Sequence, residues 1–496
     1  MKRYLFFTII SIILFLPFNS VAQGLESISN TRTPLNITSQ QINNTPKRLV
    51  APTPPMGWNS WDNFGIDITE AEFKAQVDYV AKNLKQYGYE YMVIDAGWYA
   101  PHLSAQIDSP FYVEKIIKYP TNVDSFGRWI PAVNKFPSAG DGSFKKLADY
   151  IHSKGLKFGL HIQRGIPWSA IEQNLPIKGT NFHAKDIANP ADACVWWDAT
   201  LGVDMTKPGA QEYYNSCFEM YAGWGVDFVK VDDISRPYHA DEITAIRMAI
   251  EKTGHNILYS LSPGTTPISA RYHAQNNADM WRISDDFWDT WPQLKRQFSL
   301  ANSWMRFKKE GHWPDLDILP IGIVGSRSSN AGEGRRSRFT KDELQTMMTL
   351  WCMFRSPLFL GGDLLKLNEF EKKLIKNTQL LSIDQNSSNC VQLPVIDTRI
   401  IIYVSEKPHT HTKYVAFFNL SDKKYTSKYH LSKLGFNVPV KVEDIWHKKE
   451  LRSNNSNKDL SLQISPHGVT LLRISPFYIN RARHFAVLTF PGVGYF

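Results

Sequence analysis

The sequence predicts an α/β protein: a (β/α)8 barrel (a TIM barrel) over residues 51–380, followed by a C-terminal antiparallel β-sandwich over residues 381–476. Three observations predict it. Short apolar runs recur along the first part of the chain, each closing in a polar or aromatic cluster. Helix-like stretches lie between several of them. Beyond residue 380 both give way to short alternating segments bounded by turn residues. A continuous apolar strand followed by an amphipathic helix marks a parallel βα unit, and eight units in about 310 residues fit a closed barrel. The competing architecture is an open doubly wound sheet. Its phosphate-binding fingerprints, G-x-G-x-x-G and G-x-x-x-x-G-K-[ST], are absent.

The first element in chain order is not part of the fold. Lys2-Arg3 forms a short basic region, Tyr4 to Phe18 is apolar, and Ser20-Val21-Ala22 offers small residues for cleavage. Residues 1–22 therefore read as a secretory signal peptide, too short for a membrane span. This predicts a secreted or periplasmic protein with no membrane span in the mature chain. Residues 23–50, rich in Ser, Asn, Thr and Gln, read as a flexible leader.

The eight apolar runs are Met56-Gly57-Trp58, Tyr91 to Asp95, Lys157 to Ile162, Asp227 to Asp232, Ile257 to Ser262, Met280 to Ser284, Asp315 to Pro320 and Pro357 to Gly361. Helices are expected at Glu70 to Tyr87, Ser143 to Lys154, Ala210 to Tyr221, Asp241 to Glu251 and Lys341 to Met353. The sandwich strands are expected at Arg399 to Val404, Lys413 to Phe418, Val440 to Trp446 and Val469 to Ile474. Residues 477–496, with the apolar piece His484 to Phe490, read either as an added strand or as a tail with no structural role.

Composition narrows the function. Hydrophobic residues make up 43% and charged residues 21%, which describes a globular protein and excludes a disordered one. The net charge of +9 is spread over 56 basic and 47 acidic residues without a basic block, so nucleic acid is not an expected partner. Cys194, Cys217, Cys352 and Cys390 show no metal-ligand spacing and allow three disulfide pairings. There is no H-E-x-x-H, and His409-x-His411 falls in the predicted sandwich, so no metal site is expected. Nothing calls for a cofactor, and the oligomeric state is left open.

In such a barrel the working residues come from the carboxyl ends of the strands, where the loops converge. Trp61 and Asp62 follow the first run; Asp95 and Trp98 follow the second. His161, Gln163 and Arg164 close the third, Lys230, Asp232 and Asp233 the fourth, and Ser262 the fifth. Arg282, Asp285 and Asp286 close the sixth, and Asp315 and Asp317 belong to the seventh. Carboxylates beside aromatic rings fit sugar chemistry: rings stack on the C–H face of a pyranose, and charged side chains hydrogen-bond its hydroxyls. Two carboxyl groups about 5 Å apart cleave a glycosidic bond with retention, one as nucleophile and one as acid then base. Strand alternation turns Asp233 and Asp285 away from the acids beside them, which makes each a structural partner.

Met56-Gly57-Trp58-Asn59-Ser60-Trp61, Ile94-Asp95-Ala96-Gly97-Trp98, Val229-Lys230-Val231-Asp232, Trp281-Arg282-x-x-x-Asp286 and Trp313-Pro314-Asp315-Leu316-Asp317 together resemble the motif set of glycoside hydrolase family 27. That is the family of α-galactosidases (melibiases) and α-N-acetylgalactosaminidases, and the resemblance spans roughly residues 52 to 475. It implies an enzyme hydrolysing terminal α-D-galactosyl residues by double displacement. It assigns Asp232 as nucleophile and Asp286 as acid/base. Trp61, Asp95, His161, Lys230, Ser262 and Arg282 become substrate-binding residues. A lysine two residues from Asp232 on a strand points to the same face and is expected to lower its pKa, while the charge on Asp232 is expected to raise that of Asp286.

Three positions depart from the galactose-specific pattern. Ala96 stands where those members carry a second acid, His161 where the family usually has tyrosine, and Ser262 where galactosidases use glutamate. The sugar therefore stays open between α-D-galactoside, β-L-arabinopyranoside, α-N-acetylgalactosaminide and an isomaltosyl α-glucan. A non-catalytic carbohydrate-binding protein is the reading from outside the enzymes.

Overall fold

The computed structural model describes residues 49–101, 120–194, 199–327, 334–394, 397–451 and 459–477. The expected signal peptide, almost all of the leader, and the piece His484 to Phe490 lie outside the described residues. Eight parallel strands form one curled sheet: β1 (Met56–Asn59), β2 (Tyr91–Ile94), β3 (Lys157–Gln163), β4 (Phe228–Asp232), β5 (Leu258–Leu261), β6 (Met280–Arg282), β7 (Trp313–Asp315) and β8 (Leu358–Leu360). Their spatial order is 7-6-5-4-3-2-1-8, which is chain order around a ring.

The seventh strand differs from its expected place. The ladder with β6 runs over Trp313–Asp315 rather than Asp315 to Pro320. The ring is then closed by a single parallel bridge, Leu319 to Leu360, in which Leu319 N–H donates to Phe359 O at 2.7 Å. Pro314 sits inside the ladder and can donate no bond, so the chain pairs on one side first and on the other side four residues later.

The strands are apolar because both faces are covered. Inward, Tyr91, Phe228 and Phe359 fill the barrel with rings 5.3 to 6.4 Å apart, so the interior is packed solid and only the mouth is open to a substrate. Close approach also explains Gly57: a side chain there would run into Tyr91 O. Outward lie the helices α1 (Glu70–Asn83), α2 (Lys145–Ser153), α3 (Ala210–Trp224), α4 (Ala240–Thr253), α5 (Trp291–Trp304) and α6 (Lys341–Phe354). The starts of α1 and α6 are fixed by capping boxes, Thr69 with Glu72 and Thr340 with Glu343. Helices α3 and α4 end on Gly225 and Gly254, both left-handed. Helix α5 was not expected from the sequence.

The C-terminal part is antiparallel. Strands β9 (Ser388–Gln392), β10 (Ile400–Glu406), β11 (Lys413–Asn419), β13 (Val440–Asp444), β14 (Lys449–Leu451) and β16 (Val469–Pro476) form one sheet, and β12 (Tyr425–His430) pairs with β15 (Asp459–Ile464) in another. Alternation divides the larger sheet between two cores. Ile400, Ile402, Val404, Val415 and Phe417 pack within the sandwich. Tyr403, Tyr414, Ala416 and Phe418 join the barrel's core. Phe418 meets Phe298 of α5 at 4.9 Å between ring centroids. The four cysteines are buried and no disulfide joins them. Among the described residues no helix is long and apolar enough to cross a membrane.

Candidate active site

The rim residues picked from the sequence converge at one mouth, and their contacts cross from strand to strand. Lys230 Nζ on β4 donates to Asp95 Oδ2 beyond β2 at 2.9 Å, and Asn59 Nδ2 at the end of β1 donates to the same oxygen at 2.7 Å. His161 on β3 places Nε2 3.0 Å from Asp232 Oδ2 and 4.0 Å from Asp95 Oδ1. A carboxylate only accepts, so Nε2 carries the proton of this bond. Trp61 is half-buried at the start of the turn after β1, with its N–H on Asn59 Oδ1 at 2.8 Å. Ser262 is buried after β5, its N–H on Val231 O at 2.8 Å and its carbonyl accepting from Ile234.

These contacts set the charges. Burial raises the Asp95 carboxyl, but Lys230, His161 and the bonds from Ala96 N–H and Asn59 outweigh it and hold it well below the usual carboxylate range. Burial works against Lys230 as well, and the charges of Asp95 and Asp232 restore it and push it above the ordinary lysine range. Asp232 is lowered in the same way, with burial opposed first by the His161 hydrogen bond and only later by Lys230. The pull of Lys230 on Asp232 expected from the sequence is present, and the structure adds the direct partners: lysine bonds Asp95, and histidine bonds Asp232.

The sixth and seventh strands supply the other side. Arg282 Nη1 lies 2.7 Å from Asp317 Oδ1, and its Nη2 lies 3.3 Å from Asp286 Oδ1. The other oxygen of Asp317 accepts from Phe287 N–H at 2.7 Å, so one carboxyl fixes both the arginine and the loop carrying Asp286. Asp317 takes φ +91°, a left-handed conformation that a non-glycine residue adopts at a cost. Burial pushes its carboxyl up to about 7, with Arg282 pulling the other way and Asp286 and Asp315 adding to the rise. Asp286 differs from the rest. Its side chain is 55% exposed, against 13% for Asp232.

Two neighbours behave as structural partners. Asp285 forms a two-pronged ion pair with Arg236. Asp233, at φ +57°, bonds Arg164 Nη2 at 2.8 Å. Arg164 is not a free cation of the rim: it is buried beneath Asp232, whose carbonyl accepts its N–H at 3.0 Å. Its guanidinium also reaches Asp192 and Glu242, each at 2.8 Å. Asp192, His239 and Glu242 approach one another closely enough to hold an ion, but the arginine already supplies the positive charge there. Trp58, Trp98 and Trp281 are core, with Trp98 Nε1 on His161 O at 2.7 Å. The sequence reading missed Asn59, whose signal was its position as the last residue of β1, level with the end of β2.

A barrel mouth carrying a buried ionised aspartate, an exposed aspartate, two cations and a half-buried tryptophan fits the chemistry of a glycoside hydrolase. Comparison with known proteins gives the family. The profile described as α-galactosidase A matches residues 53–171 and 193–386, and that of the α-galactosidase C-terminal β-sandwich domain matches residues 401–474. The chain belongs to glycoside hydrolase family 27. An α-galactosidase of Oryza sativa subsp. japonica is 24% identical over 86% of this chain and 85% of its own. An α-N-acetylgalactosaminidase of Gallus gallus is 24% identical over 86% and 94%. A family 27 β-L-arabinopyranosidase from Geobacillus stearothermophilus, solved in complex with arabinose, is 44% identical. It covers 86% of this chain and 98% of its own, with a TM-score of 0.82.

Proposed function

We propose that the protein is an exported, retaining exo-glycosidase removing a terminal pyranosyl unit of galactose configuration, with β-L-arabinopyranosides ahead of α-D-galactosides. The observation that carries the mechanism is the asymmetry of the two acids. Asp232 is buried and kept ionised by His161, Lys230 and Asp233 N–H, as a nucleophile must be. Asp286 opens to solvent, as a group that exchanges protons with a leaving alcohol and with water must. In the first step an Asp232 oxygen bonds the anomeric carbon while the glycosidic bond breaks and Asp286 gives its proton to the departing oxygen. In the second, Asp286 takes a proton from water, the water oxygen bonds the anomeric carbon, and Asp232 leaves as carboxylate. Arg282, held by Asp317, positions Asp286 through a contact of 3.3 Å.

The order of sugars rests on Ala96 and on the 44% identical arabinopyranosidase. L-arabinopyranose has the galactose ring configuration without C6, so the lack of an acid at position 96 is expected to cost it less than it costs galactose. Export rests on the signal-peptide pattern of residues 1–22, and mass analysis of the exported protein is expected to find an N-terminus at Gln23.

The test is initial rates on p-nitrophenyl β-L-arabinopyranoside, α-D-galactoside, α-N-acetylgalactosaminide and α-D-glucoside, with Asp232→Asn as the blank. Release by the wild type and none by the variant is the expected result. Substantial turnover by Asp232→Asn overturns the mechanism, and a large preference for galactoside overturns the order of sugars. Sugar binding with no turnover of any substrate favours a non-catalytic carbohydrate-binding protein.

A further inference from the structure

One buried carboxyl in the mouth has no part in the chemistry above. Asp62 follows Trp61 off the end of β1, with its backbone fixed by Gly325 N–H on its carbonyl at 2.7 Å. The residue is 3% exposed, and its Oδ2 has no hydrogen-bond partner among the described residues. The end of β8 makes room for it: a methyl group on Gly361 would collide with that oxygen. The charges it feels belong to Asp317, Lys230, Asp95 and Asp286, which come from four different strand ends. The Asp62 carboxyl therefore lies within the ring of charged groups that surrounds the mouth.

An unmade hydrogen bond at a buried polar group is costly, and in native structures such a group calls for an explanation. Here the explanation is a ligand atom. Burial first, and then the negative charges of Asp317, Asp95 and Asp286, push the Asp62 carboxyl well above its ordinary value, against the pull of Lys230. A carboxyl accepts from a hydroxyl in either protonation state, and in its protonated form it also donates to one. On the adjacent strand β2, the buried residue after Asp95 is Ala96, whose methyl makes no hydrogen bond.

We propose that Asp62 is a substrate-binding residue, hydrogen-bonding a ring hydroxyl of the sugar on the β1–β2 side of the mouth, where residue 96 offers no polar group. The proposal rests on the glycosidase reading above. Its test compares the wild type with Asp62→Ala and Asp62→Asn. Rates are measured on p-nitrophenyl β-L-arabinopyranoside and α-D-galactoside, and binding of L-arabinose and D-galactose by calorimetry.

Asp62→Ala is expected to raise KM about tenfold, the equivalent of about 1.4 kcal/mol for one hydrogen bond, with kcat falling less. Asp62→Asn, which keeps a donor and an acceptor on the same skeleton, is expected to recover most of that loss. KM within twofold of wild type in Asp62→Ala overturns the proposal. So does an equal fall of kcat and rise of KM that Asp62→Asn does not repair. Should Asp62→Ala not fold, Asp62→Ser takes its place. If the wild type cleaves neither glycoside, the functional reading fails by itself; weaker sugar binding in Asp62→Ala still supports the residue's role, and unchanged binding refutes it.

Discussion

His161 Nε2 donates to Asp232 Oδ2 at 3.0 Å, and this bond, more than the lysine two residues away, keeps the buried aspartate ionised. His161 Nδ1 is buried and has no partner, so Asp232 is the one carboxylate within hydrogen-bond reach of the ring. His161→Phe keeps a ring of similar size and removes the donor. Asp232 then loses the main influence lowering its pKa, and less acid conditions suffice to protonate it. The acid limb of the kcat/KM profile is expected to move to higher pH, with activity near neutrality less affected. An acid limb that stays in place would show that Lys230 alone suffices.

The exposed position of Asp286 predicts how its loss depends on the leaving group. A p-nitrophenolate departs without a proton, whereas a sugar alcohol needs one. Asp286→Ala is therefore expected to lose about 10²–10⁴-fold on an oligosaccharide and clearly less in kcat/KM on a p-nitrophenyl glycoside. Equal losses on both would move the acid role to another residue, with Asp285 the first to examine.

Burial and the neighbouring charge of Asp232, against the pull of Arg164, push the Asp233 carboxyl up to about 6. A folded-state pKa above the unfolded value means that the native protein binds this proton more tightly. The associated stability is full below pH about 4 and is lost as pH rises through about 6. Asp233→Asn removes the titration and keeps a residue that tolerates the left-handed backbone. Its Tm relative to wild type is expected to rise between pH about 4 and about 7. A constant difference across that window would place the proton elsewhere.

Ala96 is 2% exposed beside Asp95. Ala96→Asp offers a second carboxylate to the sugar, and the ratio of kcat/KM for α-D-galactoside over β-L-arabinopyranoside is expected to rise about tenfold, the worth of one hydrogen bond. An unchanged ratio would show that some other residue decides between the two sugars.

The sequence by itself determined the strands and what stands at their ends. The apolar runs became strands because parallel strands covered on both faces need nothing but apolar residues, a signal carried within each run. Asp95, His161, Lys230, Asp232, Arg282 and Asp286 were legible because chain direction delivers strand ends to one face. The strand it misplaced, Trp313–Asp315, contains a proline that masks the pattern, and its register is set by pairing with Met280–Arg282. Tertiary structure alone decided the partners. Lys230 turns to Asp95 rather than to Asp232. Arg164 gathers Asp192, Asp233 and Glu242. Asp62 finds room for its carboxyl because Gly361, about three hundred positions away in the chain, has no side chain to fill the space. Such relations depend on which residues the closed ring brings face to face, and no local periodicity records them.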